Sequence, residues 1–322
     1  MGYVYALLAA ILFGANGSLT KLILETDLSA PQLTLLRTLG IALSAGIALL
    51  ILNPRGFRVG WRGLAIMAVL GVFGLALLQA SYAAALALLP VGITLLLEYL
   101  AVLFVALVAF FVFREKVRRR LWIAIGLVLA GLALVAQIWA SSLNPLGVLF
   151  GLGAAASLTI YFVIGERQVT RTSPLAVAFW TGAFATLFWA IFSGWWELEP
   201  SIFAQPTELG GSHGSFELPL WIPLIVTAIG GSFVTFLLSF TALKYLPATA
   251  AGVVASSEVL FAFLFAWIWL GETLDAVQLL GAAIVLIAIV LAQTARAAKT
   301  VVAADLALPP STASIPIVGG ST

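Results

Sequence analysis

Ten blocks of about 18–25 apolar residues, separated by short polar joints, leave this chain few folds to adopt. At ~1.5 Å per residue, a helix of that length crosses ~30 Å of hydrocarbon. The blocks run Tyr3–Leu24, Gln32–Leu52, Leu64–Leu88, Val91–Phe113 and Leu121–Trp139, then Leu146–Ile164, Leu175–Trp196, Leu220–Leu243, Thr249–Leu270 and Val277–Gln293. Strands are not expected, because stretches such as Leu64–Leu78 lack the alternation a membrane barrel needs. Of 322 residues 63% are apolar and only 9% charged, whereas a soluble domain carries about a quarter charged residues. A globular cytosolic enzyme is thereby excluded, and the expected class is an all-α polytopic membrane protein of ten transmembrane helices. The first block lacks a basic start and a small-residue cleavage site, so it reads as a retained helix and not as a signal peptide.

Charge orients the helices. With the N-terminus cytoplasmic, the inner joints hold thirteen of the fifteen basic residues, among them Arg55, Arg58, Arg118–Arg120, Arg167 and Lys299. The outer joints hold none and carry Glu25, Asp27, Glu197, Glu208, Glu217, Glu272 and Asp275. Positive residues favour the inside, so both termini are expected in the cytoplasm, with the chain in the inner (plasma) membrane. The pI of about 9.0 therefore does not signal nucleic acid; the lipid bilayer accounts for the distribution. The outer joint near His213 reads as a solvated loop, and residues 297–322, rich in Ala, Pro, Ser and Thr, read as a disordered tail. With no cysteine, no disulfide framework or thiol chemistry is available.

The chain also repeats. An offset of 157 pairs Ala85–Pro90 with Ala242–Pro247 and Glu115 with Glu272, while Pro31 and Thr38 match Pro174 and Thr181 at an offset of 143. Five spans per copy is odd, so the second copy enters the membrane from the opposite side. The expected architecture is two inverted five-helix repeats, residues 1–140 and 141–296, as in many secondary transporters whose substrate site lies between the repeats.

Several motifs together resemble the EamA-type transporters of the drug/metabolite transporter superfamily, over essentially residues 3–295. They are Phe13-Gly14-Ala15-Asn16, Arg37, Leu97-Glu98-Tyr99 with Glu115, Ala242-Leu243-Lys244-Tyr245-Leu246-Pro247, Ser257-Glu258-Val259 and Leu270-Gly271-Glu272. The resemblance implies ten helices, cytoplasmic termini and export of small metabolites, commonly amino acids. It also implies that spans 1, 3, 4, 6, 8 and 9 surround the pore. Where that family often places proline after the glutamates of spans 4 and 9, this chain has Tyr99 and Val259.

Ionisable groups inside a span are costly unless they face water or a partner, so each is a functional candidate. Glu98 and Glu258 are the deep acidic groups, able to bind a substrate ammonium or to take up a proton. Arg37 lies six residues into span 2; it either attracts a substrate carboxylate or pairs with a carboxylate or helix-end carbonyls, or snorkels outward, and holds the outer gate. Lys21 and Lys244 lie within a turn of span ends, where snorkelling suffices. Uncharged polar residues mark the expected cavity: Asn16, Gln79, Tyr82 and Tyr161, with Ser232, Thr235 and Ser239 on one face of span 8. Trp180 occupies the repeat position of Arg37, and Tyr99 and Ser257 flank the glutamates, so all three join the candidate substrate-binding set.

No phosphate-binding loop, no His/Cys metal cluster and no Gly-x-Ser-x-Gly elbow occur, so neither ATP hydrolysis, a metal, a cofactor nor enzymatic chemistry is expected. The expected activity is secondary transport of a small molecule, most simply export of amino acids. Export of organic cations or drugs is the alternative, because two carboxylates among aromatics would suit a cation; an intramembrane enzyme or a scaffold is the remaining one, disfavoured by only two deep carboxylates and no intramembrane histidine.

Overall fold

The computed structural model describes residues 1–111, 119–136, 143–214, 216–246, 251 and 254–295. The expectations for Glu115, Arg118, Pro247, Lys299 and the tail lie outside the described residues. Six helices are long and apolar enough to cross a membrane. They are α1 (Gly2–Leu24), α2 (Ala30–Leu52), α3 (Trp61–Leu86), α7 (Pro145–Val169), α8 (Pro174–Phe192) and α9 (Trp221–Tyr245). Shorter helices complete the fold: α4 (Val91–Glu98), α5 (Ala101–Phe111), α6 (Arg119–Ala136), α10 (Glu258–Leu270) and α11 (Ala276–Ala295). Large apolar side chains on the outward faces are open, including Ile47 at 59% and Leu50 at 62% exposure. Such a surface would be an aggregation hazard in water and is ordinary against lipid.

Helix starts are built from local chemistry. Backbone donors freed at a helix N-terminus need acceptors, the more so where water is scarce. Ser29 Oγ accepts from Gln32 N and Gln32 Oε1 accepts from Ser29 N, a reciprocal cap followed by Pro31. Ser173 Oγ accepts from Ala176 N ahead of α8, and Asn144 Oδ1 accepts from Leu146 N ahead of α7; each is followed by proline.

Helices of the first half pack against helices of the second. α2 lies against α8, and α6 against α11. α1 contacts α9 and α10, while α7 contacts α3 and α4. α3 and α9 each widen into a π-helical stretch, at Leu70–Ala76 and Val226–Val234. Carbonyls loosened by that widening find other donors: Trp189 Nε1 donates to Ala76 O at 3.1 Å, and Thr235 Oγ1 to Gly230 O at 2.7 Å.

Two expectations are corrected. Spans 4 and 9 are not continuous helices: the chain turns at Tyr99–Leu100 and again at Ser256–Ser257. The loop after α8 is folded, with a short antiparallel pair, β1 (Pro206–Glu208) and β2 (Glu217–Pro219), so the described chain is not purely helical. Ile202, Leu209, Leu220 and Leu224 from this region pack onto Leu19, Leu22, Ile23, Leu28 and Leu33, closing that end of α1 and α2 with apolar side chains.

Candidate functional site

The site forms where the two broken spans meet. No glycine or proline lies between Ile93 and Phe111, yet α4 stops at Glu98. Leu100 N–H reaches back only three residues, to Leu97 O at 3.1 Å. In the second half Ser257 N–H returns to Val254 O at 3.0 Å, and Val259 N–H bonds Ser256 O at 3.3 Å. The Ala255 carbonyl thus loses its regular helical donor, and the Tyr99 hydroxyl replaces it at 2.7 Å. An offset of 157 carries Tyr99–Leu100 onto Ser256–Ser257, so the breaks occupy the same place in the sequence repeat.

The same hydroxyl lies 2.7 Å from Glu258 Oε2. One phenolic proton serves one acceptor at a time, so both contacts are hydrogen bonds only when the Glu258 carboxyl is protonated and donates back. Glu258 is the first residue of α10, where the helix dipole favours negative charge. Glu98 closes α4, where the dipole favours a cation. Glu98 is 9% exposed, and its carboxyl makes no hydrogen bond to the described residues.

Two neighbouring spaces surround these carboxylates. The larger encloses about 600 Å³ including its mouth, and extends from Glu98 and Glu258 toward Ala6, Leu243 and Ala251, at the N-terminal end of α1. Its walls are the small side chains Ala6, Ala9 and Ala10 on one side and the rings of Tyr161, Phe162 and Phe236 on the other. The smaller encloses about 320 Å³ and is lined by Asn16, Arg37, Gln79 and Tyr82. Phe13 and Phe236, packed edge to face with centroids 5.0 Å apart, line both spaces, as do Glu98 and Glu258.

The smaller chamber holds polar groups with nothing to bond. Arg37 is 2% exposed; its Nε donates to Ser232 Oγ at 2.9 Å, while Nη1 has no partner. The Gln79 amide and the Tyr82 hydroxyl are equally unpartnered. Buried polar atoms left unsatisfied cost about 1–3 kcal/mol each, so these four together call for a ligand or solvent. Asn16 is engaged: Thr227 Oγ1 donates to its Oδ1, and Gly231 makes room, since a Cβ there would fall 1.8 Å from that oxygen.

Of the expected site residues, Asn16, Arg37, Gln79, Tyr82, Glu98, Tyr99, Tyr161 and Glu258 converge on these chambers. Trp180 does not: it packs between Phe179 and Phe184 on α8, lining neither space. Ser257 bonds its own backbone, Oγ to Val254 O at 2.6 Å. Arg37 lies in the chamber and does not snorkel outward. Lys21 does not merely snorkel either, because it is ion-paired with Glu272. Phe162 and Phe236 carried no signal in the sequence, where they were two apolar residues among many. No cluster of three His, Cys, Asp or Glu side chains suited to a metal occurs among the described residues.

Comparison with known proteins agrees with this architecture. The profile of the EamA-like transporter family matches residues 1–137 and 145–294. An uncharacterised transporter of Archaeoglobus fulgidus is 28% identical over 217 residues, covering 66% of this chain and 71% of that protein. The uncharacterised transporter YwfM of Bacillus subtilis is 30% identical over 199 residues, covering 61% and 62%. A crystal structure superposes with a TM-score of 0.62 at 20% identity, over 90% of this chain and 96% of that one, a likeness of fold. On the family match over both halves, this chain belongs to the EamA-like transporter family.

Proposed function

We propose that the chain is a secondary transporter that exports neutral amino acids across the inner membrane by rocking two inverted five-helix repeats, residues 1–140 and 141–296, about the central chambers. One observation carries the substrate reading: Arg37 and Glu98, both buried, line one chamber without being ion-paired to each other. A zwitterion supplies what each lacks. Its carboxylate would meet Arg37 Nη1, the Gln79 amide and the Tyr82 hydroxyl; its ammonium would meet Glu98 at the carbonyl end of α4. The apolar walls of the larger chamber would accept a side chain with little discrimination, since one methylene is worth only ~1–3 kcal/mol.

The repeat reading rests on the paired contacts of α2 with α8 and α6 with α11, the matching π-helical stretches and the matching breaks. Broken helices at a midplane site are a common transporter device. Orientation rests on the basic residues of the joints and places the β1–β2 loop outside.

Proteoliposomes loaded with a panel of amino acids, with and without a pH gradient, test the substrate. Efflux of neutral amino acids that collapses in Arg37→Ala and Glu98→Gln supports the reading. Organic-cation transport with no amino-acid flux, abolished by Glu98→Gln alone, replaces it with drug export. Reporter fusions placing position 213 inside the cell would overturn the orientation.

A further inference from the structure

We infer that Lys21 and Glu272 form a gate that locks the β1–β2 side of the transporter shut, an inference that rests on the alternating-access reading above. Lys21 lies in the last turn of α1 and Glu272 in the turn between α10 and α11. Gly271, in the left-handed region at φ 68°, reverses the chain, and Glu272 N–H bonds back to Ala266 O at 3.1 Å. This aims the Glu272 side chain across the molecule. One carboxylate oxygen meets Lys21 Nζ and the other accepts the Val91 N–H at 3.0 Å. Val91 opens α4, and the residue before it, Pro90, has no side-chain oxygen to cap that helix. Glu272 therefore supplies the missing cap and the counter-charge at once. Lys21 Nζ also lies 3.4 Å from Leu89 O.

The two Glu272 contacts join the second half of the chain to the first, while the Lys21–Leu89 contact lies within the first half. The gate sits at the end of α1 where Leu19, Leu22 and Ile23 pack against Leu209 and Leu220, whereas the larger chamber runs toward the opposite end of α1. Parting α1 and α4 from the α10–α11 turn on the closed side must break the Glu272 contacts first. These side chains are 26% and 18% exposed, so solvent screens the pair and keeps its strength moderate. Removing the charge should shift the balance toward the opposite opening about tenfold.

Because the chain has no cysteine, single-cysteine reporters need no background removal. Thr20→Cys reports the closed side, since Thr20 is buried beside Lys21, and Ala6→Cys reports the chamber on the other side. In purified, reconstituted protein, Glu272→Gln should raise labelling of Thr20→Cys about tenfold and lower that of Ala6→Cys. The charge swap K21E with E272K restores the ion pair but not the acceptor for the Val91 N–H, so it should return both reporters only part of the way. A merely structural contact would not move the two reporters in opposite directions. The gate is refuted if Thr20→Cys labelling is unchanged in Glu272→Gln and in Lys21→Gln while Leu209→Ala, which loosens the apolar seal, raises it. It is also refuted if both reporters rise together. If no substitution moves either reporter, alternating access itself fails. Should Glu272→Gln not fold, Lys21→Gln decides the matter, since it leaves the Val91 N–H its acceptor.

Discussion

Glu98→Gln separates binding from folding more cleanly than any other change in the cavity. The Glu98 side chain makes no hydrogen bond to the described residues, so an isosteric amide orphans no partner. Thermal stability should fall by no more than ~1 kcal/mol. The substrate ammonium, by contrast, loses a charge-assisted bond in a buried setting, where such bonds contribute ~1.5–3 kcal/mol. That corresponds to an affinity lower by about 10- to 150-fold. The assay is initial-rate efflux from proteoliposomes below saturation, with each neutral amino acid compared against its 2-hydroxy acid analogue, which keeps the carboxylate and lacks the ammonium. The amino acid should lose most of its flux in the variant, while the hydroxy acid, transported poorly by both proteins, should barely change. Equal loss for both substrates, or undiminished amino-acid flux, would refute the assignment of Glu98 to the ammonium. A fall in stability above ~2 kcal/mol would show instead that Glu98 holds helices together.

Arg37→Ala should abolish most transport in the same assay while Arg119→Ala, exposed at the start of α6, leaves it intact; equal effects at equal expression would remove the special role of Arg37. Tyr99→Phe deletes the hydroxyl that joins the two breaks through Ala255 O and Glu258, and should lower stability by ~1–3 kcal/mol in a detergent melt, with an unchanged melt counting against a bridging role. Gly231→Leu places side-chain atoms where a Cβ alone would be 1.8 Å from Asn16 Oδ1, so it should destabilise by ~1–3 kcal/mol or more, read as a lower melting temperature and poorer expression.

What the sequence alone determined follows from properties that are local or periodic. Run length and the shortage of charge set the membrane class, because a span has to be apolar over its whole length. The rarity of ionisable groups in spans singled out Arg37, Glu98 and Glu258, which the fold brings to one chamber. The tertiary structure decided matters of partnership. Spans 4 and 9 read as unbroken because no proline or glycine interrupts them near Glu98 and Glu258; the breaks persist because the Tyr99 hydroxyl satisfies a carbonyl 156 residues away. Lys21 looked able to snorkel, yet its partner is a glutamate 251 residues distant. Trp180 matched Arg37 in repeat position but turned into an aromatic stack, since equivalent backbones do not compel equivalent side-chain directions. Hydropathy and spacing act within a helix and are written along the chain. Which polar atom satisfies which other depends on distances across the bundle, and those exist only once the helices have packed.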